Sequence, residues 1–586
     1  ACIGNQFDLA TLAIVSQNSE AQTALYLWKA LQSGLILPQS EVYKFYLESE
    51  TNTSLLPEQI INYKFLHDRV QQAAYSLIPD NQKQKTHYHI GQLLLQQTSP
   101  EAIEDGIFEL VNQLNHGTAL ITEEKQRTRL ASLNLIATRK ARSAIAYQAG
   151  REYASIGLSL LGENPWQNQY EISLAFHDLA AELASLCGNF KEMEQFVETV
   201  IINARSLIEL VNVYRIRISS NMSQNKLTEA ITVALQILQQ FGVTFPETPT
   251  PEEIQHSITE VSSVIGDREI EDLVNLPIMT DAEKIAIVQI ANSIMAAAYI
   301  SGSPLLPLLV CLSIKLSIQY GNTEASALAY ASYAIIACNM LKNVEMGVKF
   351  GQLALGVVSK LDAKALKPEI FDVIGFFILH RKSHIKKTLP LVQEGYAVAL
   401  EVGNLQFVGY NANVFCLNSF WCAQPLATLE QETRAYCNSL VQLNQLSAAN
   451  WCRIYWQSIL NLLGVAEHPS ILSGEALQEA KFLPQLIEAH DSSGLFNFYL
   501  YKLMLCFLFG EIESAQNHAV EIRCYLIAAV GNVVEAVFYF YDSLVALAAF
   551  DGESEQGSEL LERVEQNQTQ LQQYWAKYAP MNHQHK

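Results

Sequence analysis

The sequence predicts an all-α fold, a solenoid of tetratricopeptide-like helix hairpins preceded by a small winged-helix-like unit. From about residue 80 onward, apolar residues recur at helical spacing in blocks of roughly 15 to 22 residues with very short breaks between them. The breaks recur at a fixed interval, as helix-hairpin repeats require. The 586 residues include only 27 Gly and 17 Pro, and this low usage favours long uninterrupted helices.

The first 80 residues differ from the rest. Two helices are predicted in FDLATLAIVSQ and SEAQTALYLWKALQSGLILP, followed by a short extended stretch, YKFL, and a helix in HDRVQQAAYSLIP. Helices followed by a short strand pair indicate a winged-helix-like unit. Such units often bind DNA, but the basic residues here are few: Lys29, Lys44, Lys64 and Arg69. DNA binding by this unit is therefore not expected.

A 41-residue period runs through the helical region. The residues that close successive helical blocks are 41 residues apart, namely Gly321, Asp362, Gly403 and Asn444, and again Gly510 and Asp551. Two helices and two tight turns fill this length. The repeat is longer than the standard tetratricopeptide of about 34 residues and lies within the HEAT-like range.

A second signature lies at the turn inside the hairpins. NKLTEA, which begins at Asn225, resembles GEIESA, which begins at Gly510, and NVEMG, from Asn343, is a looser copy. We expect the Gly or Asn to end one helix in the left-handed conformation. A small residue shortly afterwards lets the next helix pack closely, which is typical of tetratricopeptide-like repeats.

Breaks in this pattern predict five segments. A Pro/Thr-rich stretch, VTFPETPTP, and irregular sequence at 267–281 indicate a boundary between two helical arrays. The predicted segments are 1–80, the winged-helix-like unit; 81–246, a first array; 247–280, an irregular linker; 281–467, a second array; and 468–586, further repeats with a polar C-terminal helix. We expect that last helix to cap the array or to lead out of it.

Charge and hydropathy disfavour several classes of protein. Lys and Arg total 38 against 59 Asp and Glu, a net charge of −21, so the chain repels phosphate backbones and nucleic-acid binding is not expected. The most apolar stretch, 285–320, is broken by Gly302, Pro304 and Pro307, and no membrane span is predicted. The N-terminal sequence lacks the basic region of a signal peptide, and the ten cysteines form no C-x-x-C pair. These features predict a cytoplasmic protein with reduced thiols.

Signatures of catalysis are missing from the sequence. It has no phosphate loop, dinucleotide fingerprint, HExxH, GxSxG or kinase catalytic loop. We therefore expect a non-catalytic chain without a metal or cofactor site. His380 and His384 would share one face of a helix, but the cations around them disfavour a metal. His67 is expected to pack and cap at a strand-to-helix corner.

One basic island stands out in this acidic chain, ILHRKSHIKK at 378–387. We expect an exposed turn between hairpins there, with Arg381, Lys382, Lys386 and Lys387 as a docking site for an acidic partner. Groups of aromatic residues around Trp421, Trp451 and Phe498 follow helical spacing loosely. We expect them to form the core between hairpins, and a concave ligand- or peptide-binding face is the alternative.

Longer phrases of the sequence resemble a known family. ACIGNQFDLATLA, YKFLHDRVQQAAYSLIP, IFELVNQLNHGTALI and LNLIATRKARSAIAYQAGREYASIGLSLLGENPW are similar to segments of very large, chiefly cyanobacterial, signalling proteins. In that family a Ser/Thr kinase-like domain is followed by an AAA-type ATPase of the STAND class, a winged helix, helical repeats, a GAF sensor and a histidine kinase. The similarity is strongest over 1–165 and less distinctive afterwards.

This resemblance implies that 1–79 is the tail of the ATPase module and that the remainder is the helical-repeat linker before the GAF sensor. The family's nucleotide-binding motifs, phosphoacceptor His and kinase residues have no counterpart in this chain. No catalytic residue is therefore carried over, and ATP is expected only in an upstream module of a parent chain. Both ends look like internal sequence, so we expect a segment of such a parent.

Two functions follow from these observations. The first is a non-catalytic sensor scaffold of a multi-domain signal-transduction kinase. In it, a protein, peptide or small-molecule effector on the repeats, or contact with flanking domains, biases the ATPase and kinase modules. The alternative is a stand-alone tetratricopeptide-like interaction adaptor. A third class, an all-α enzyme working inside a helical toroid, would need convergent acids or metal ligands, and the sequence shows no such cluster.

Overall fold

The computed structural model describes residues 1–39, 62–550, 552 and 555–572. The chain forms two compact units, Ala1–Ser220 (unit 1) and Asn221–Lys586 (unit 2). Within the described residues helices make up nearly all of the regular structure, and the strands lie before residue 66. The predicted all-α class is therefore confirmed. The five-segment domain scheme stays a prediction.

A small three-stranded sheet opens unit 1. Strands β1 (Gln6–Asp8), β2 (Ile36–Pro38) and β3 (Asn62–Phe65) pair antiparallel in the order β1-β3-β2. Helices α1 (Leu9–Ser16), α2 (Glu20–Gln32) and α3 (Asp68–Ser76) accompany it. Alternation along β3 buries Tyr63 and Phe65 beside Phe7. The predicted YKFL strand and its flanking helices are confirmed, while the winged-helix assignment stays a prediction.

The chain continues as a series of helices that pack in pairs. Their bounds are α4 (Asp80–Gln97), α5 (Ile107–Asn115), α6 (Glu124–Ser143), α7 (Tyr147–Leu160), α8 (Tyr170–Leu186), α9 (Phe190–Asn203) and α10 (Leu207–Ser223). Helices α6 and α7 form one hairpin, and α8 and α9 form the next. Gly157 of α7 marks a close approach, because a Cβ there would overlap the fully buried ring of Phe176.

Unit 2 is built from longer and more apolar helices. Their bounds are α11 (Leu227–Gln240), α12 (Pro251–Ile265), α13 (Ala282–Ser293), α14 (Met295–Ile300), α15 (Leu305–Tyr320), α16 (Ser326–Asn339), α17 (Val344–Lys360), α18 (Lys367–Val373), α19 (Thr388–Val402), α20 (Leu405–Trp421), α21 (Leu426–Gln442), α22 (Leu446–Leu462), α23 (Glu479–Glu488), α24 (Ser492–Leu508), α25 (Ile512–Arg523), α26 (Val533–Ala548) and α27 (Glu555–Leu571). Described residues contain no helix long and apolar enough to cross a bilayer.

Alternate helices of unit 2 stack on one another. We call α16, α18, α20, α22, α24 and α26 the inner helices; each contacts the next in this order. Helices α17, α19, α21, α25 and α27 each pack against an inner helix as its hairpin partner. Every residue from Asn411 to Ser419 of α20 is buried. The predicted helix-hairpin solenoid is therefore confirmed.

The turns explain the 41-residue period. The described block-closing residues all have positive φ: Gly321 (110°), Asp362 (49°), Gly403 (74°), Asn444 (56°) and Gly510 (81°). Asp551 lies outside the described residues. A residue in this conformation ends a helix and reverses the chain within a short turn.

The turn signature holds at Asn225, whose φ is 58°, but differs at Asn343. There Lys342 adopts the left-handed conformation with a φ of 54°. Asn343 instead begins α17, because its side-chain oxygen accepts a hydrogen bond from the Met346 amide over 3.0 Å. Asn is a strong helix N-cap as well as a helix terminator, and the sequence alone did not separate these roles.

Residues 247–280 are more regular than expected. Helix α12 begins at Pro251 with a capping box, in which Thr250 and Glu253 satisfy each other's backbone amides. A 3₁₀ turn follows at Ile270–Asn275. The Pro/Thr-rich stretch is thus a helix start signal, and the expected irregular linker contains a 15-residue helix.

The repeat period reappears in hydrogen bonds between neighbouring hairpins. Tyr153 donates to Asn112, 41 positions earlier, over 3.0 Å. Tyr455 donates to Asn413, 42 positions earlier, over 2.9 Å, and the Asn411 amide donates to the Pro368 carbonyl, 43 positions earlier, also over 2.9 Å. Similar positions of successive repeats therefore face each other, which is the defining geometry of a stacked repeat array.

Candidate functional site

The basic island at 378–387 does not form one exposed patch. Lys382, Lys386 and Lys387 are exposed, but Arg381 is only 4% exposed and donates to Asn339 Oδ1 over 2.8 Å. The expectation for Arg381 is therefore wrong. After α18 the chain forms a π-helical turn and then a 3₁₀ turn, and these irregular turns direct Arg381 into the protein. Docking by the three lysines stays a prediction.

The two histidines of this island lie on separate turns. His380 is buried within the 3₁₀ turn Leu379–Arg381, and burial lowers the pKa of its imidazole to about 3. His384 lies before the next 3₁₀ turn, where its Nδ1 accepts a hydrogen bond from the Lys386 amide over 2.9 Å. They do not share a helix face. Among the described residues no group of three or more His, Cys, Asp or Glu has the geometry of a metal site.

His67 caps a helix as expected. Its Nδ1 accepts a hydrogen bond from the Arg69 amide over 3.2 Å at the corner between β3 and α3. The aromatic groups of unit 2 form core, as expected. Phe415, Tyr455, Phe498 and Tyr501 are buried in one cluster, and residues such as Trp421 and Trp451 pack against it.

A buried hydrogen-bond chain joins the N-terminal part of unit 1 to its first helices. Tyr75 of α3 lies 3.0 Å from Nε2 of His87 in α4. His87 Nδ1 lies 2.7 Å from Oε1 of Gln113 in α5, and Gln113 Nε2 donates to the Cys2 carbonyl over 2.9 Å. Because Oε1 only accepts, Nδ1–H of His87 is the donor to Gln113. We call these four residues the junction network.

The junction network is shielded from water. His87 is 5% and Gln113 6% exposed. The imidazole of His116 stacks on that of His87 at a centroid distance of 4.4 Å, and burial, with a smaller contribution from His87, lowers the pKa of His116. Sequence analysis missed this site because its members are 111 positions apart and belong to no motif. Polar residues in otherwise apolar helix positions were the only available signal.

A reciprocal amide pair extends the junction network into the first hairpin. Asn115 of α5 and Asn134 of α6 each donate to the other's side-chain oxygen over 2.9 Å. Asn134 is fully buried and also donates to the Leu130 carbonyl. These bonds fix the orientation of both amides and join α5 to α6 at this point.

A groove of about 480 Å³ lies between α6 and α8. It is lined by Ser132, Leu135, Arg139, Glu171, Ile172, Leu174, Ala175 and Asp178. Asp178 Oδ2 accepts a hydrogen bond from Asn212 over 3.1 Å, whereas its buried Oδ1 has no hydrogen-bond partner. Burial raises the pKa of the Asp178 carboxyl to about 6, and the charge of Glu182 adds to the rise.

Both apolar and ionisable side chains line the groove. Further along the same two helices, Arg142 and Glu182 form a two-bond ion pair, with Nε–Oε2 at 2.8 Å and Nη2–Oε1 at 2.5 Å. The arrangement suits binding. It offers no nucleophile paired with a base.

Comparisons with known proteins give one significant curated relative. No protein-family model matches the chain. A hybrid signal transduction histidine kinase G of Dictyostelium discoideum is 21% identical over 508 residues, covering 75% of this chain and 15% of that protein. The chain therefore spans about a seventh of the length of this relative.

Among the solved structures that match this chain is a signal transduction ATPase with numerous domains (STAND) that has a tetratricopeptide repeat sensor, from Pyrococcus horikoshii. It is 13% identical, with a TM-score of 0.37 over 82% of this chain and 63% of that chain. A TM-score this low does not establish a common fold, so the fold assignment rests on the helix pairing described above.

Proposed function

We propose that this chain is a non-catalytic sensor scaffold of a multi-domain signal-transduction protein, with a Ser/Thr or histidine kinase and a STAND-type ATPase elsewhere in the parent chain. Its helical repeats bind a protein or peptide partner, and its N-terminal winged-helix-like unit passes the signal to the ATPase module. ATP belongs to the upstream module, and this segment holds no cofactor. The similarity to a histidine kinase supports the signalling context.

The junction network is the observation that carries the proposal. An occupant of the groove between α6 and α8 would shift α6, which contacts α5 through the Asn115–Asn134 amide pair. Helix α5 also carries Gln113, whose bonds reach His87 and the Cys2 carbonyl. Packed side chains with fixed hydrogen bonds can couple two sites in this way when the element between them has two arrangements.

Selection of binding peptides first tests whether the groove between α6 and α8 holds a partner. A phage-displayed peptide library is selected against the whole chain, and the selected peptides are measured against Ala175→Arg, which fills the groove. Ala144→Arg, at an exposed position after α6, is the matched control. We expect peptides that bind the native chain and the control but lose at least about tenfold in affinity with Ala175→Arg.

Hydrogen exchange then distinguishes the sensor scaffold from the stand-alone interaction adaptor. In the sensor function, bound peptide slows exchange at residues 1–4 and 73–90, around the junction network. A peptide that binds in the groove without changing exchange there supports the adaptor alternative. Selected peptides that bind Ala175→Arg as well as the native chain overturn the groove as the binding site.

A further inference from the structure

Two distant repeats of unit 2 contact each other directly. In a regular solenoid each repeat contacts only its neighbours. Here Asn339, the last residue of α16, packs against Gly531, in the turn before α26. Gly531 has a φ of 89°, and a Cβ there would overlap Asn339 Nδ2. The end of the first inner helix therefore meets the turn before the last one, although four other inner helices lie between them in sequence.

Charged residues surround this contact. Buried Arg381 donates to Asn339 Oδ1 over 2.8 Å. Glu535 of α26 accepts a hydrogen bond from the Gly531 amide over 2.9 Å. Burial lowers the pKa of Arg381 and of Lys342, and the charge of Glu535 acts against both shifts. The Glu535 carboxylate, which is hydrogen-bonded to the Gly531 amide, thus lies on one side of the contact. The two cations, Lys342 and Arg381, lie on the Asn339 side.

The charge of Glu535 has a specific consequence. A buried guanidinium is costly, and a nearby opposite charge offsets part of that cost. Arg381 belongs to the turn after α18 and Lys342 to the turn after α16, so Glu535 links both to α26. Without its charge, the attraction between α26 and these two cations is lost.

We propose that Asn339, Lys342, Arg381, Gly531 and Glu535 form an electrostatic latch that holds unit 2 closed, and that loss of the Glu535 charge opens it. Opening separates the turn before α26 from the ends of α16 and α18. The inner helices, buried in the closed form, then become accessible at this end. The latch is a conformational switch independent of the groove in unit 1.

Hydrogen exchange of the whole chain tests the latch. Glu535→Gln removes the charge, but its amide oxygen can still accept from the Gly531 amide, so the turn itself is retained. We expect exchange at 339–343 and 526–532 to accelerate at least about tenfold, with little change at 227–240 in α11. Glu513→Gln, at an exposed position of α25, is the matched control and should exchange like the native chain.

Variants with reversed charges provide the second test. Glu535→Lys alone should accelerate exchange further, and the double variant Lys342→Glu with Glu535→Lys should return it to within about threefold of the native rate. Native exchange rates in Glu535→Gln at both segments would overturn the latch. If Glu535→Gln unfolds unit 2, hydrogen exchange of the native chain is compared in 0.05 M and 1 M NaCl instead. Acceleration by salt confined to the two segments supports the latch, and uniform or absent acceleration overturns it.

Discussion

The Tyr75 hydroxyl and Nε2 of His87 share a hydrogen bond of 3.0 Å across the boundary between α3 and α4. Nδ1–H of His87 in turn donates to Gln113 Oε1, which orients the Gln113 amide toward the Cys2 carbonyl. The first residues of the chain are thereby attached to the first helices of the repeat region.

Tyr75→Phe removes the hydroxyl and leaves the buried Nε2 of His87 without this hydrogen bond. We expect unit 1 to lose about 1 to 2 kcal/mol in its free energy of unfolding, the usual penalty for an unsatisfied buried polar group. Urea denaturation followed by circular dichroism measures it. Tyr26→Phe, at an exposed tyrosine of α2, is the control and should lie within about 0.5 kcal/mol of the native value.

Asp542→Asn should release the C-terminal helix. Asp542 is fully buried and accepts hydrogen bonds from Arg523 over 2.6 Å, from Asn567 over 2.6 Å and from Arg563. This network docks the polar helix α27 on α26. Because the arginines are partly exposed, we expect a cost of about 3 kcal/mol, the lower end for a broken buried ion pair.

Limited proteolysis within 555–571 measures this release. Cleavage there should become faster in Asp542→Asn, while Asp267→Asn, at an exposed position of unit 2, should be cleaved at the native rate. Equal cleavage of all three proteins would contradict the docking role of Asp542.

The contribution of Asp372 and Glu369 to the stability of unit 2 should fall as the pH rises from about 4 to about 8. Burial raises the pKa of Asp372 to about 8, with repulsion from Glu369 adding to it, and raises the pKa of Glu369 to about 7. The pKa of each carboxyl is near 4 in an unfolded chain, so these two groups hold more protons in the folded state over this range. This contribution is therefore largest at the acid end and is lost as the two groups ionise.

Asp372→Asn isolates the Asp372 contribution. Asn resembles the protonated acid, so the variant should gain stability relative to the native chain at pH 8 and much less at pH 5. Urea midpoints at the two pH values measure the difference. Glu488→Gln, at an exposed position of α23, should shift both midpoints equally. A native-like pH dependence in Asp372→Asn would show that Asp372 is ionised in the folded protein.

Gly157→Ala should destabilise unit 1. The added Cβ would overlap the Phe176 ring, which has no exposed surface and no room to move away. Overpacking of this kind costs about 1 to 3 kcal/mol, more than Ala gains in helix propensity. Gly106→Ala meets no atom within 4 Å and is the matched control. Thermal unfolding compares the two, and equal melting temperatures would contradict the close approach of α7 and α8.

Much of the fold was predictable because its determinants are local. Helix periodicity depends on neighbours three and four positions away, and the turns at Gly321, Gly403 and Asn444 depend on residues that tolerate positive φ. The capping role of His67 was also predictable from its position between a strand and a helix. Local rules failed at Lys342 and Asn343, where two adjacent residues both suited a turn.

The candidate sites were not predictable in the same way. Arg381 is part of a basic island in the sequence, and only the π-helical turn before it explains why it is buried. His87 and Gln113 belong to no motif, and their pairing depends on how α4 and α5 pack.

By itself the sequence determined the helices, their turns and the 41-residue repeat, since each follows from interactions within one hairpin. Only the tertiary structure decided which hairpins meet. The contact of Asn339 with Gly531 depends on small rotations between successive hairpins that add up along unit 2. No local pattern encodes that sum, so the contact and the charges around it became visible only once the chain was folded.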